Sequence, residues 1–390
     1  MTNLRRSHTS HNNCVQNNVV EVTVIIPTLN EEKTIATCIQ KIKKVFKEYN
    51  IKGEIIVSDS STDKTPQIAK KLGAKVVHPD RRGYGYAYIY AFKHAKGKYI
   101  IMGDGDNTYD FLEIPKLLKP LKNGEADLVI GSRLKGKVMP GAMPWLHRYI
   151  GNPLLTGILN LFFKIRVSDA HCGFRAIKKD ALQKLNLKTS GMEFASEMLI
   201  EAKRKNLKIS EVPIVYYPRQ GQSKLRSFKD GWRHLKYMLI QAPNWLYILP
   251  ANILFILGAL LFILGMFKIN IGYIPGTYSM VIGSLVIILS LQIAYLGIFS
   301  KLYGEKRGYF ESRMSSWIKK HLDLEKGILL GLILLMSGLV GALYLVNLYI
   351  SIGYQSLPLR GEYMIAFTLI IIGIQIIFYS FTLSMLMSES

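Results

Sequence analysis

The chain has 390 residues, which is enough for more than one domain. Hydrophobic residues make up 49% of it and the mean hydropathy is +0.18, which argues against a purely soluble protein. A formal charge of +23 and a pI near 9.7 would suit a nucleic-acid-binding protein, but no nucleic-acid motif accompanies the charge. Because Lys and Arg beside a membrane attract anionic lipids, we expect a membrane and no nucleic acid as the partner.

The soluble part begins after a polar, Asn-rich stretch, residues 1–20, which we expect to be a disordered tail without a signal peptide. Residues 22–30, VTVIIPTLN, form an apolar, β-branched run that predicts a strand. Residues 31–46 carry apolar side chains at helical spacing, and we expect Glu31 and Glu32 in the first turn of that helix.

Strands and helices continue to alternate along the next part of the chain. The pattern predicts a strand at GEIIVSD, a helix at TPQIAKKLG, a strand at AKVVH, a helix at GYAYIYAFKHAKG and a strand at KYIIMGD. This order implies a Rossmann-like α/β domain with a mostly parallel sheet. Ligands bind at the carboxyl ends of such strands, where polar clusters follow Ile26, Val57 and Met102. We expect the three clusters to converge on one crevice.

The stretch IIMGDGDNTYD concentrates oxygen-bearing side chains directly after the fourth predicted strand. Asp104 and Asp106 can place two carboxylates at one edge of a cleft. Such oxygens suit Mg²⁺ or Mn²⁺, which proteins often hold with one or two carboxylates plus substrate phosphates. A lone D-x-D is more often an ordinary acidic turn, but its position after this strand favours a divalent metal site.

Two later segments are too polar to span a membrane, and we expect both to lie in its interface. Residues 144–164 are apolar but interrupted by polar side chains, Arg148 among them, and predict a surface helix. Residues 224–245 predict a second, juxtamembrane amphipathic helix, with Trp232 and Trp245 as interfacial anchors. The catalytic domain would then occupy residues 21–223.

The C-terminal part, residues 246–390, contains long and nearly uncharged runs of 22 to 24 residues. About 20 apolar residues span a bilayer as a helix, so each run predicts a membrane span. Buried core helices are the alternative, but successive runs without a polar face argue against it. The predicted spans are 246–267, 278–299, 328–350 and 363–386.

The loop between the second and third spans is strongly basic, whereas the other two loops carry only Lys268 and Arg360. Positive residues remain on the cytoplasmic side, so we expect this loop, the C-terminus and the soluble domain to be cytoplasmic. The expected location is the plasma membrane. The basic residues of the loop are Lys301, Lys306, Arg307, Arg313, Lys319, Lys320 and Lys326.

Several motifs, in order from residue 22 to about residue 232, resemble the catalytic domain of glycosyltransferase family 2. They are VIIPTLNEEKTI, IIVSDSSTDKT, RGYGYAYIYAFKHAKGKYI, DGD, DLVIGSRL, DAHCGFRA and EVPIVYYPRQGQSKL. With the C-terminal spans, they are most similar to the polyprenyl-phosphate branch, which includes the dolichyl-phosphate mannose and glucose synthases. The resemblance implies a GT-A fold followed by an all-α membrane domain of four helices.

The resemblance also implies a role for individual positions of this sequence. Arg133, which ends the strand ADLVIGSR, and Arg148 match arginines that hold the acceptor phosphate, although a plain lipid-head contact is the alternative for each. Asp106, Arg133, Arg148 and Arg219 would be the catalytic set, with Asp104 and Asp106 as the metal ligands. The positions that match donor-binding residues are Pro27, Leu29, Glu31, Val57, Asp59, Asp104, Gly105, Arg219 and Lys224.

The sequence departs from the family pattern at three positions, and these leave the base and the sugar of the donor open. Ser58 stands where many relatives have a first Asp, and Thr108 stands where mannose synthases have a metal-binding Gln. Tyr84 replaces a residue that is frequently small or basic.

The implied reaction is an inverting transfer of a hexose from a nucleotide-diphosphate sugar, such as GDP-mannose or UDP-glucose, to a polyprenyl phosphate. A lipid phosphate is already anionic near neutral pH, so it needs positioning and no general base. Asp169, Glu193 and Glu197 are further candidates for residues of the cleft.

Two other functions remain open. One is a processive polysaccharide synthase, although GWRHLKY lacks the Q-x-x-R-W order of such enzymes, and the other is a non-enzymatic membrane scaffold or flippase.

Overall fold

The computed structural model describes residues 20–220, 227–308, 317–318, 320–321, 323–353 and 362–388. Lys224 and most of the N-terminal tail therefore lie outside the described residues. The chain forms two compact units, Met1–Leu235 and Lys236–Ser390.

The first unit is built on a seven-stranded sheet with the order β3-β2-β1-β4-β6-β5-β7. All neighbours pair in parallel except β6, which is antiparallel to both β4 and β5. The expected mostly parallel α/β sheet is confirmed. The strands are β1 Val22–Thr28, β2 Gly53–Asp59, β3 Lys75–Val77, β4 Tyr99–Met102, β5 Leu128–Val138, β6 Arg175–Lys178 and β7 Ile209–Tyr216.

Helices connect these strands and cover the sheet. Helix α1 contacts α2 and α4, whereas α3 and α5 both contact α7. A π-helical turn, His147–Gly151, leads directly into α5. The helices are α1 Ile35–Glu48, α2 Thr65–Lys71, α3 Tyr84–Phe92, α4 Ile114–Lys122, α5 Asn152–Phe163, α6 Lys179–Gln183, α7 Phe194–Arg204 and α8 Ser227–Gln241.

The core of this unit lies along the central strands. Every residue of β4 and nearly every residue of β1 is buried, because these strands are covered on both sides. The expectation for the start of α1 was wrong. Its first residue is Ile35, and no acidic residue lies in its first turn. Glu31 precedes the helix, where its carbonyl oxygen accepts hydrogen bonds from the amides of Thr34 and Ile35.

The described part of the second unit contains four long apolar helices with a mean hydropathy of 2.3 to 2.5 over their most apolar windows. The second of them continues to Lys306, beyond the predicted end of the apolar run at 299. Few of their large apolar side chains are buried and many are exposed, as is expected of helices that face lipid. They are α9 Leu249–Phe267, which a π-helical turn at Asn244–Ile248 precedes, α10 Thr277–Lys306, α11 Leu324–Ser351 and α12 Glu362–Ser388.

Glycines allow these helices to pack in close pairs. A Cβ atom on Gly258 of α9 would lie 2.9 Å from the carbonyl oxygen of Gly283 in α10. A Cβ atom on Gly331 of α11 would lie 2.8 Å from the carbonyl oxygen of Gly373 in α12. Small residues at helix contacts are typical of membrane helices, because they let two backbones approach.

Candidate active site

The carboxyl ends of β1 and β2 lie side by side and hold the first predicted donor-binding positions. Pro27 pairs with Ser58, and Val57 is buried in β2. The buried carboxylate of Asp59 accepts hydrogen bonds from the hydroxyls of Thr28, at 2.7 Å, and Ser61, at 2.6 Å. These contacts fix the end of β2 against the end of β1.

The D-x-D segment forms a tight turn after β4. Gly105 offers its carbonyl oxygen to the Thr34 hydroxyl at 2.7 Å, and Asn107 adopts a positive φ of 60°. Thr108 donates its amide and its hydroxyl to the same oxygen of Asp106, Oδ1, at 3.1 and 2.6 Å. The segment therefore fixes the orientation of the Asp106 carboxylate from within the turn.

Arg219 joins the β1 loop to the D-x-D segment. Its Nη2 donates to Glu31 Oε1 at 2.8 Å, and its Nη1 lies 3.4 Å from Asp106 Oδ2. Its Nε is buried and has no hydrogen-bond partner among the described residues. Three residues that the family pattern singles out for the donor are thus brought into direct contact.

Asp104 lies beside Asp106 but has a different neighbour. The Tyr84 hydroxyl donates to Asp104 Oδ1 at 3.1 Å. Burial and the charge of Asp106 raise the pKa of Asp104 from 3.8 to about 7. The sequence marked Tyr84 only as a departure from the family pattern, and its contact with Asp104 was not predicted.

The two carboxylates fit a divalent cation that shares its shell with a ligand. Among the described residues, no group of three or more His, Cys, Asp or Glu side chains could hold a metal ion alone. Asp104 and Asp106 offer only hard oxygen atoms, and the pKa of Asp104 is raised first by burial and then by the charge of Asp106, which a cation would offset. This set suits Mg²⁺ or Mn²⁺ with phosphate oxygens as the remaining ligands.

Arg133 does not end its strand, as the sequence suggested, but lies within β5. The pairing of β5 with β7 is irregular between Ser132 and Lys137, and such bulges re-aim side chains. Arg133 donates from Nε and Nη2 to the two oxygens of Asp169, both at 2.7 Å, and both side chains are buried. Its guanidinium also lies over the Tyr216 ring, 5.2 Å from the centroid.

Arg148 has different neighbours from Arg133. It belongs to the turn before α5, is partly exposed, and lies over the Tyr149 ring at 5.2 Å. Among the described contacts, none joins Arg148 to Arg133, Asp104 or Asp106. The predicted pairing of two arginines around one phosphate therefore remains a prediction.

The structure also shows the surroundings of three other predicted positions, Leu29, Glu197 and Glu193. Leu29 is partly exposed just after β1. Glu197 accepts hydrogen bonds from the amides of Lys188 and Thr189, so it orders the chain before α7. Glu193 has one carboxylate oxygen, Oε2, that is buried without a partner among the described residues.

Comparisons with known proteins found matches to both parts of the chain. The family described as glycosyl transferase family 2 matches residues 23–185, and the glycosyltransferase family 2 C-terminal transmembrane region matches residues 298–387. The match to the solved structure of a glucosyl-3-phosphoglycerate synthase from Mycobacterium tuberculosis, with Mn²⁺, UDP and glucosyl-3-phosphoglycerate, covers 57% of this chain and 80% of that one. It is 24% identical, with a TM-score of 0.47.

Two curated relatives come from Haloferax volcanii. A protein named dolichyl-phosphate hexose transferase is 31% identical over 54% of this chain and 89% of its own length. A protein named low-salt glycan biosynthesis hexosyltransferase Agl6 is 42% identical over 94% of this chain and 89% of its own length. Since that similarity extends along nearly the whole sequence, the chain belongs to glycosyltransferase family 2, as a multi-pass membrane enzyme.

Proposed function

We propose that this enzyme transfers a hexose, with inversion, from a nucleotide-diphosphate sugar to a polyprenyl phosphate. The observation that carries the proposal is the contact of Arg219 with both Glu31 and Asp106, which assembles a cationic group and a carboxylate pair at the strand ends. The membrane region and the dolichyl-phosphate hexose transferase among the relatives support a lipid acceptor. The product would be a lipid-linked sugar for glycan assembly.

The donor diphosphate would lie against Asp104, Asp106 and Arg219. Asp104 and Asp106 would hold Mg²⁺ or Mn²⁺, which neutralises the charge that develops on the leaving diphosphate. The Nε of Arg219, which is without a partner among the described residues, supplies a further donor for a phosphate oxygen, because a buried N–H without a partner is costly. Lys224, outside the described residues, would join this set.

The acceptor phosphate would be held by Arg133 and Arg148. Asp169 uses Nε and Nη2 of Arg133, so Nη1 is the nitrogen that would meet the phosphate. The phosphate oxygen attacks the anomeric carbon as the bond to the nucleoside diphosphate breaks. The nucleophile is already an anion, so the arginines orient it and no side chain must take its proton.

The membrane would be contacted by apolar side chains that the first unit leaves exposed. Trp145, Tyr149 and Leu154 form such a group before and within α5, and Phe228 and Trp232 are exposed on α8. Both surfaces are typical of interfacial helices. We place the catalytic domain at residues 21–223, the juxtamembrane segment that contains α8 at 224–245 and the membrane domain beyond it. The orientation that the basic loop favours is a cytoplasmic catalytic domain at the plasma membrane.

The test is a donor panel with a polyprenyl phosphate, read by mass spectrometry of the lipid product. We expect one nucleotide sugar to give a hexosyl-phosphoryl lipid, dependent on Mg²⁺ or Mn²⁺. Asp106→Asn should abolish this product while the protein still inserts in membranes. The proposal is overturned if no donor gives a lipid-linked hexose, or if added lipid phosphate does not accelerate nucleotide release by the active protein.

A further inference from the structure

We propose that Tyr84 is a positioning residue for the donor site: its hydroxyl holds Asp104 in the orientation in which that carboxylate meets the cation and the diphosphate. The inference rests on the proposed function, in which Asp104 is a metal ligand. The two oxygens of Asp104 then have different tasks. Oδ1 accepts the hydrogen bond from Tyr84 at 3.1 Å, and Oδ2 remains for the ligand.

The start of α3 holds Tyr84 in place. Gly83 has a φ of 156°, and a Cβ atom there would lie 2.3 Å from the Ser190 carbonyl oxygen. That same carbonyl accepts the Gly85 amide at 3.0 Å. The Tyr84 ring also meets the buried Tyr88 ring edge-on, with 5.2 Å between centroids. The backbone on both sides of Tyr84 is therefore fixed, and its side chain has little freedom to turn away.

Gly173 packs closely against both Tyr84 and Asp104. A Cβ atom at this position would lie 2.7 Å from the Tyr84 hydroxyl oxygen and 3.2 Å from Asp104 Oδ2. Only a residue without a side chain leaves both groups where they are. The amide of Gly173 is itself anchored, because it donates to the Tyr109 hydroxyl at 2.8 Å.

A tyrosine hydroxyl is suited to this task because it donates a hydrogen bond without adding charge. An arginine or lysine at the same place would compete with the cation for the carboxylate. A tyrosine hydroxyl has an ordinary pKa of about 10, so it carries its proton at neutral pH and can donate. At Asp106 the equivalent oxygen, Oδ1, is held by Thr108. Each carboxylate of the D-x-D motif thus has one oxygen fixed by a neutral hydroxyl.

The first test is Tyr84→Phe in the full chain, with Tyr86→Phe as the matched control. Tyr86 lies on the same helix and also donates to an aspartate, the exposed Asp80, at 2.5 Å. We would measure Mn²⁺ binding by the loss of the free-ion electron paramagnetic resonance signal, with UDP and with GDP. Because a hydrogen bond to a charged group is lost, we expect Mn²⁺ affinity to fall about tenfold or more in Tyr84→Phe. The control should bind as the parent does.

The second test is Gly173→Ala, alone and combined with Tyr84→Phe. The added methyl group should push the Tyr84 hydroxyl away, so Gly173→Ala alone should also weaken Mn²⁺ binding. In the Tyr84→Phe background its effect should be clearly smaller, since the displaced hydroxyl is already absent. This variant also tests the inference if Tyr84→Phe does not fold.

The outcomes separate the inference from the proposed function. Equal Mn²⁺ affinity in the parent and in Tyr84→Phe, or equal weakening in Tyr86→Phe, would overturn the role of Tyr84. A Gly173→Ala effect that is as large without the hydroxyl as with it would overturn it too. If the parent binds no Mn²⁺ with either nucleotide, this result contradicts the metal site of the proposed function. The role of Tyr84 is then overturned as well, because it rests on that metal site.

Discussion

Arg133 is both a proposed phosphate ligand and one half of a buried ion pair. Asp169 accepts from its amide, its Nε and its Nη2, and the Asp169 side chain has no exposed surface. Removing one partner of such a pair leaves an uncompensated buried charge. Arg148, by contrast, is partly exposed and contacts a tyrosine ring. The two arginines should therefore respond differently to the same substitution.

We expect Arg133→Ala to lower both acceptor use and stability, and Arg148→Ala to lower acceptor use alone. The loss of the ion pair should cost about 3 kcal/mol or more of the free energy of unfolding, because Asp169 remains buried. Thermal unfolding in detergent and the KM for polyprenyl phosphate measure the two effects separately. Arg133→Lys should restore only part of each, because an ammonium lacks the fork that pairs with two oxygens.

Two results would contradict this assignment. One is a normal KM for polyprenyl phosphate in both alanine variants. The other is an unfolding temperature that falls as much in Arg148→Ala as in Arg133→Ala. Nucleotide-sugar hydrolysis by water should continue in Arg148→Ala, which serves as the control that the donor site is intact.

The donor site could be anticipated from the sequence only in part. Asp104 and Asp106 stand out because carboxylates directly follow an apolar strand, and Arg219 and Glu31 were marked by the family resemblance. The contact between Arg219 and Glu31 could not be derived from spacing, since 188 positions separate these two residues. The bond from Tyr84 to Asp104 depends on how α3 meets the end of β4, which is a tertiary arrangement without a local signal.

At the scale of elements, β1 to β5 were readable from the sequence as strands, whereas β6 and β7 were not. β1 to β4 are apolar runs that polar turns bound, and period and turn residues identify them. β6, Arg175–Lys178, has only four residues and carries the buried Arg175, so its pattern resembles a loop. Its antiparallel place between β4 and β5 follows from pairing with distant strands, which no local pattern encodes.

Helix α8 is tied to the rest of the first unit through His234. Its Nδ1 lies 2.8 Å from the hydroxyl of Ser196 in α7, and its ring meets His171 edge-on at 4.4 Å. Burial lowers the pKa of His234 from 6.5 to about 4 and holds that of His171 well below 6.5. Both rings are therefore neutral in the folded protein near neutral pH.

This burial predicts a loss of stability in acid. Between pH 6.5 and about 4, the unfolded chain binds a proton at His234 that the folded chain does not, so the free energy of unfolding falls as pH falls. His234 alone would contribute up to about 3 kcal/mol to this fall. His234→Gln should reduce the drop in unfolding temperature between pH 7.5 and pH 5. Equal pH dependence of the unfolding temperature in His234→Gln and the parent would refute the account.

At the scale of the whole molecule, the basic loop between α10 and α11 sets the expected topology. Reporters fused after Ile269 and after Gly353 should report the outside of the cell. Reporters fused after Arg307 and at the C-terminus should report the cytoplasm. A reversal of either pair in whole-cell accessibility assays would contradict the proposed orientation, and a reporter at the N-terminus should agree with the one after Arg307.

The first compact unit ends at Leu235, inside α8, and this determines how a soluble fragment of the enzyme could be cut. A fragment that ends at residue 223 would remove His234, and the Ser196 hydroxyl would lose its 2.8 Å contact with that ring and keep only the 3.5 Å contact with His171. A fragment that ends at Gln241 would keep this contact. It would also keep Phe228 and Trp232, both exposed on α8.

The residues that complete the fold and the residues that favour aggregation thus lie on the same helix. We expect the fragment ending at residue 223 to unfold at a lower temperature than the one ending at Gln241. The longer fragment should remain monomeric only with detergent or lipid, because the exposed apolar side chains of different molecules otherwise associate. Substituting Phe228 and Trp232 by polar residues should prevent the aggregation and keep the higher unfolding temperature, because His234 remains in place.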